Sequence, residues 1–170
     1  PAGKTIEDIT YLALGDSFSS GEGELDAQYY LPETNSSNPE NRCHVSIRSY
    51  PYLVAKELGV EADFHNVACS GARYDHYISD PQHDWPYDPD WVPGTRSQRS
   101  FVLEGRPNVV TISMIGNDID FSKKIQRCLM PDSCFSLINE RKTIAAEINS
   151  KFNDLVTLYY DIKRISNNAR

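Results

Sequence analysis

The chain has 170 residues, 39% hydrophobic and 24% charged, which suits one globular domain with a real core and is too short for two comfortable ones. Its formal net charge of -7 lacks the basic footprint that a nucleic-acid partner requires, so nucleic acid is excluded as a main partner. No apolar run approaches the ~20 residues needed to cross a bilayer, and no transmembrane segment is predicted. The chain starts at Pro1 with no initiator methionine, as it would after removal of a signal peptide or after trimming.

In chain order, the first predicted strand is Ile9 to Leu14, an apolar run that stops at Gly15. A helix is predicted from Ser49 to Leu58, with Tyr50, Leu53, Val54 and Leu58 on one face and Gly59 as its stop. Ala62 to Ala68 reads as the second strand. Residues Asp75 to Gly94 are crowded with Asp, Pro, Tyr and Trp and read as a long irregular loop. The β-branched run Val109 to Ile115 is the third strand. Beyond it, Ile144, Ile148, Phe152, Leu155, Tyr159 and Ile162 recur at the three-to-four spacing of one long amphipathic helix, and that stripe is read as core. Strands alternating with helices imply a parallel sheet with helices on both faces.

Several side chains invite a chemical role and have a plainer one. In the long loop, Asp75, Asp80, Asp84, Asp88 and Asp90 lie near His76 and His83. A calcium loop needs a fixed ligand rhythm and a turn glycine, so a solvated acidic loop is the better reading and no metal is expected. Trp85, Tyr87 and Trp91 suit either a substrate wall or packing of the loop on its own domain. His44 and His65 read as structural or surface histidines, and Asn35-Ser36-Ser37 is a glycosylation sequon that matters only in a eukaryotic secretory route. Cys43, Cys69, Cys128 and Cys134 form an even set, spaced unlike zinc knuckles. In a secreted protein they read as two disulfides with three possible pairings, and in a cytosolic one as buried thiols.

Three strand ends carry the chemistry. Gly15-Asp16-Ser17-Phe18-Ser19-Ser20-Gly21-Glu22-Gly23 puts a serine where the first strand gives way to a glycine-rich loop, the place where a hydroxyl is exposed while backbone N–H groups converge. Asn66-Val67-Ala68-Cys69-Ser70-Gly71-Ala72 leads from the second strand into a small-residue loop. Val109-Val110-Thr111-Ile112-Ser113-Met114-Ile115-Gly116-Asn117-Asp118 sets Asn117 just past the third. In order and spacing these segments resemble the SGNH (GDSL-like) hydrolases, whose blocks are named for Ser, Gly, Asn and His. Ser17 matches the nucleophile, Gly71 the glycine of the second block and Asn117 the asparagine of the third. Arg42-Cys43-His44 followed by Arg48-Ser49-Tyr50-Pro51 draws the likeness closer to the secreted actinobacterial lipases and esterases.

The resemblance implies a flavodoxin-like three-layer α/β/α sandwich with a parallel sheet, its later strands missing from this chain. It also implies bridges Cys43–Cys69 and Cys128–Cys134 and an extracellular bacterial location. The activity implied is that of a serine esterase or lipase needing no cofactor, in which Ser17 attacks the carbonyl of a small-molecule, glycan or lipid ester and an acyl-enzyme forms. The backbone N–H groups of Ser17 and Gly71 and the Asn117 amide would hold the oxyanion. Asp16 is expected to turn into loop hydrogen bonds, and Asp118 to cap the helix that follows.

The likeness departs at the fourth block, an Asp-x-x-His near the family's C-terminus, because nothing after Asn117 occupies that place. Residues 1–170 therefore read as the N-terminal part of a single SGNH-hydrolase domain, inactive or nearly so without the missing C-terminal part of that domain, whose catalytic Asp and His are expected beyond Arg170. A natural short protein that has lost its base is the alternative, and so is a non-catalytic SGNH-like domain that binds a glycan or protein. The Asp-x-x-His of Asp80-Pro81-Gln82-His83 falls between the second and third blocks, out of the family's order. It is kept as a lesser candidate, since a triad is a matter of geometry.

Overall fold

A computed structural model describes residues 10–35, 41–83, 91–129, 138–166 and 169. Tyr11–Gly15 forms β1, Phe64–Asn66 β2 and Val109–Ser113 β3, all parallel, in the order β2-β1-β3. Tyr11 lies opposite both Phe64 and Val109, and Gly15 opposite Ser113, so the carboxyl ends of β1 and β3 are level. Helices follow in chain order: α1 Ser17–Ser20, α2 Tyr50–Leu58, α3 Tyr74–Ile78, α4 Gln98–Gly105, α5 Phe121–Cys128, α6 Ile138–Ser150 and α7 Phe152–Ile165.

Successive strand side chains point to opposite faces, so β1 divides the core in two. Leu12 and Leu14 pack with Val67, Tyr77, Phe101, Val102, Leu158 and Ile162 beneath α3, α4 and α7. Tyr11 and Ala13 pack on the other face with Ala55, Val60 and Phe64, beneath α2. Helices thus cover both faces of the sheet, as the alternation implied, in the three-layer arrangement that the resemblance implied. Every β1 residue is buried whereas β3 is half-buried throughout, as a central strand differs from one at the edge of the described sheet.

Local differences from the sequence pattern have local causes. The segment read as a loop from Asp75 opens inside α3, because Tyr74, Tyr77 and Ile78 at helical spacing reach the core and Tyr77 is fully buried. The second strand shrinks to Phe64–Asn66, since Glu61–Asp63 makes a 3-10 turn and the Asn66 side chain accepts from the Ala68 N–H at 3.1 Å. The third ends at Ser113, two residues before Ile115, whose φ of 83° cannot continue a strand. The long C-terminal helix is two helices, broken at Lys151. The stripe read as core is core only in part: Leu158 and Ile162 are buried on α7, but Ile148, Phe152 and Tyr159 are more than half exposed. On α7 the buried residues are Leu158, Asp161 and Ile162.

Asp161 is held on that buried row by charge. It accepts from Arg99 Nε at 2.7 Å, Arg164 at 2.8 Å and the Tyr77 hydroxyl at 3.1 Å. Burial alone would raise its pKa, yet these donors together hold the carboxyl below its ordinary value. Cys43 and Cys69 form a disulfide, as the resemblance implied; a crosslink over 26 residues stabilises on the order of 3 kcal/mol by restricting the unfolded chain. Cys128 is also disulfide-bonded, and Cys134 lies outside the described residues.

Candidate active site

The nucleophile segment is locked at the level ends of β1 and β3. A Cβ on Gly15, at φ 127°, would collide with the Ser113 carbonyl oxygen, so only glycine allows the two backbones this close. The Asp16 N–H donates to Ser113 O at 2.8 Å, and Asp16 Oδ1 accepts from the Phe18 N–H at 3.1 Å and Ser113 Oγ at 3.0 Å. Asp16 thus caps α1 and staples β1 to β3, the loop hydrogen-bonding role expected of it. It is 2% exposed, and burial, partly offset by those bonds, raises its pKa.

A residue that carried no signal in the sequence completes the support. The buried Gln98 side chain accepts from the Gly15 N–H at 2.7 Å and donates to the Gly15 carbonyl at 2.8 Å, clasping the peptide two residues before Ser17. Cys69 N–H also donates to that carbonyl at 3.0 Å, which ties in the segment leading to Gly71. A lone glutamine on an unpredicted helix shows none of this; the pairing spans 83 residues. Behind the nucleophile, Asn66 Nδ2 donates to Ser19 O at 3.0 Å and the Ser19 and Tyr50 hydroxyls lie 3.1 Å apart.

Ser17 is half-buried, and no described residue accepts from its backbone N–H or from that of Gly71, which turns at φ 81°. Asn117 sits in the 3-10 turn Gly116–Ile119, entered through the left-handed Ile115, a strained conformation for a β-branched residue. Asn117 Nδ2 donates one hydrogen to Ala72 O at 2.9 Å, leaving the second amide hydrogen for another acceptor. Ser17 and Asn117 line one cleft of about 300 Å³, so the structure brings serine and asparagine together and ties the asparagine to the loop carrying Gly71. Asp118 does not cap the helix after it. Its carboxylate accepts from the Tyr74 N–H at 3.2 Å, at the start of α3, because the left-handed Asp120 occupies the position before α5.

The remaining candidates lie elsewhere. His83 Nε2 is 3.5 Å from Cys69 Sγ and its backbone N–H donates to Gly94 O, while Asp80 accepts from Ser79 Oγ at 2.9 Å. Among the described residues no hydrogen bond joins either of them to Ser17. Cys43, Cys69 and His83 form the metal-capable grouping among these residues, with both sulfurs committed to the disulfide. His44 pairs with Glu22 at 2.6 Å. His65, its pKa lowered by burial, stacks on Trp91 at 4.2 Å; Trp91 also packs on Phe101 and borders Thr10 and Tyr11, at the opposite edge of the sheet from Ser17. Trp85, Tyr87, Asp84, Asp88 and Asp90 fall outside the described residues.

No protein-family model matches the chain. Over 130 residues, 75% of its length, it is 30% identical to Lipase 1 of Streptomyces coelicolor, a stretch that is 38% of that protein. Its fold matches the crystal structure of an extracellular lipase from Streptomyces rimosus with a TM-score of 0.58 at 24% identity. It matches that of phospholipase A1 from Streptomyces albidoflavus with a TM-score of 0.57 at 23% identity. Each structural match covers 94% of this chain and 56% of the other. The chain therefore spans well under two thirds of the proteins it resembles, and among its described residues no helix is long and apolar enough to cross a membrane. In sequence the chain is similar to one Streptomyces lipase over three quarters of its length, and in fold it is similar to two Streptomyces enzymes over nearly all of it, in line with the resemblance its motifs carried.

Proposed function

We propose that residues 1–170 are the nucleophile-bearing part of a secreted serine ester hydrolase of the SGNH type. The observation that carries this is the shared cleft of Ser17 and Asn117, with Asn117 tied to the Gly71 loop and the N–H groups of Ser17 and Gly71 unclaimed by described residues. In this reaction Ser17 Oγ attacks the ester carbonyl and gives up its proton to a base. The developing oxyanion takes hydrogen bonds from Ser17 N–H, Gly71 N–H and the free Asn117 amide hydrogen. The alcohol then leaves with a proton, and water releases the acid from the acyl-enzyme. The base is assigned to a histidine of a downstream Asp-x-x-His, and secretion is supported by the disulfides and by the extracellular relative.

The test uses the protein carried through that downstream block. It should hydrolyse p-nitrophenyl esters with a burst, and peptide mass analysis should find the acyl group on Ser17. Ser17→Ala should abolish both. Turnover undiminished in Ser17→Ala would end the proposal. The 170-residue chain alone should turn over very slowly. Ordinary turnover there, lost in His83→Ala, would make Asp80 and His83 the base pair. The absence of a histidine bonded to Ser17 among the described residues favours, as a second reading, a non-catalytic binding domain. Full-length protein that lacks turnover and forms no Ser17 adduct would establish that reading instead.

A further inference from the structure

The loop after β2 leaves one backbone donor unclaimed. From Cys69 to Ala72 the chain makes a β-turn, closed by the Ala72 N–H donating to Cys69 O at 3.0 Å, with Gly71 in its third place at φ 81°. The Cys69 N–H donates to Gly15 O and the Ser70 N–H to Cys43 O, each at 3.0 Å, so in this turn only the Gly71 N–H has no acceptor among the described residues. A positive φ in third place marks a type II turn, whose central peptide, here Ser70–Gly71, is turned half a revolution from its type I setting. Glycine tolerates both settings, so the turn alone does not fix where the Gly71 N–H points.

The other end of that peptide is held from outside the turn. Gln82 Nε2 donates to the Ser70 carbonyl and stands 3.4 Å from where a Cβ on Gly71 would be. The glutamine is anchored in turn, since its own N–H and that of His83 both donate to Gly94 O at 3.1 Å. Its Oε1 is buried with no hydrogen-bond partner among the described residues, a cost accepted at a site where the amide is placed for its Nε2 contact. Because a peptide group is planar and trans, a fixed carbonyl sends the N–H the opposite way. Resting on the esterase reading above, we infer that Gln82 is a positioning residue: its amide holds the Ser70–Gly71 peptide in the setting that presents the Gly71 N–H to the oxyanion, and a flip of that peptide withdraws the donor. Asn117 Nδ2 holds Ala72 O at 2.9 Å, so side-chain amides secure the carbonyls on both sides of Gly71. The segment Asp80-Pro81-Gln82-His83 thus serves the reaction through its glutamine.

The experiment uses the protein extended through its Asp-x-x-His, with p-nitrophenyl acetate as substrate. Gln82→Leu should lower kcat about tenfold with KM unchanged, less than the ~10²–10³ that outright loss of a donor costs, because the freed peptide still visits the productive setting. Gln82→Glu keeps the shape and, when ionised, has no hydrogen to donate, so in alkaline solution it should fall as far. Its kcat relative to the parent should then climb as pH falls and the carboxyl gains an O–H to offer the Ser70 carbonyl. A side chain that only fills space shows no such recovery. A turning-over parent with kcat undiminished in both variants, a rise in KM alone, or a Gln82→Glu loss that does not recover in acid overturns the positioning role and leaves the esterase reading in place. A parent with no turnover and no Ser17 adduct overturns the esterase reading, and the positioning role with it.

Discussion

At the carboxyl edge of the sheet the groups that support the site are partnered: Gly15 is held at both its N–H and its carbonyl, Asp16 joins two strands, and Asn117 reaches across to Ala72. On the outer faces of α6 and α7 the reverse holds, with Ile148, Phe152, Val156, Tyr159 and Tyr160 all exposed. The first region is positioned by directional bonds between segments distant in sequence, so single substitutions there displace reacting groups. The second is helical by local pattern and contributes few contacts of its own. Precision is concentrated where Ser17 lies.

The widest gap between the regions should appear in catalysis. In the full-length protein, Asn117→Ala should lower kcat by about 10²–10³, equivalent to ~2.7–4 kcal/mol of barrier, with KM little changed. A rise in KM alone would make Asn117 a uniform binding contact. Next in size is Gln98→Leu, which leaves the buried Gly15 N–H without its partner and should cost about 2–3 kcal/mol in denaturant unfolding. A loss below 0.5 kcal/mol would show that the clasp is dispensable.

Asp161→Asn probes the inner side of α7 and should cost about 2 kcal/mol at neutral pH. The pH dependence has a definite sign. Because the folded-state pKa of Asp161 is depressed, its contribution is fully present above the ordinary carboxylate range and is lost as pH falls through the folded value. Urea midpoints of the parent and the Asn variant should therefore converge in acid; a constant gap would remove the ion pairs from the account. The smallest effect is expected on the outer side, where Phe152→Ser should stay within ~0.5 kcal/mol. A larger loss would mean that this face is covered, and the contrast between the two regions would narrow.

Much of the site was legible because its signals are local. A glycine before Asp16-Ser17, a small-residue turn at Gly71 and Gly-Asn after a β-branched run each mark that a strand ends within a few residues, although β2 and β3 stop earlier, at Asn66 and Ser113, and strand ends are where a parallel sheet gathers loops. The helical pattern from Ile144 to Ile162 was legible as helix but not as core. A stripe records which side is apolar, whereas burial depends on what packs against it and on the break at Lys151. Short α3 was hidden among turn-forming residues, and Asp118, whose carboxylate accepts from its first N–H, lies 44 residues from Tyr74.

By itself the amino-acid sequence determined the strand-and-helix alternation, the serine, glycine and asparagine at strand ends, and the even cysteine set, because each follows from periodicity or from the demands of a turn. Only the tertiary structure decided which residues meet. Gln98 on the Gly15 peptide, Asn117 on the Ala72 carbonyl and Cys43 on Cys69 are long-range pairings, and no local pattern records a partner that the fold alone brings near.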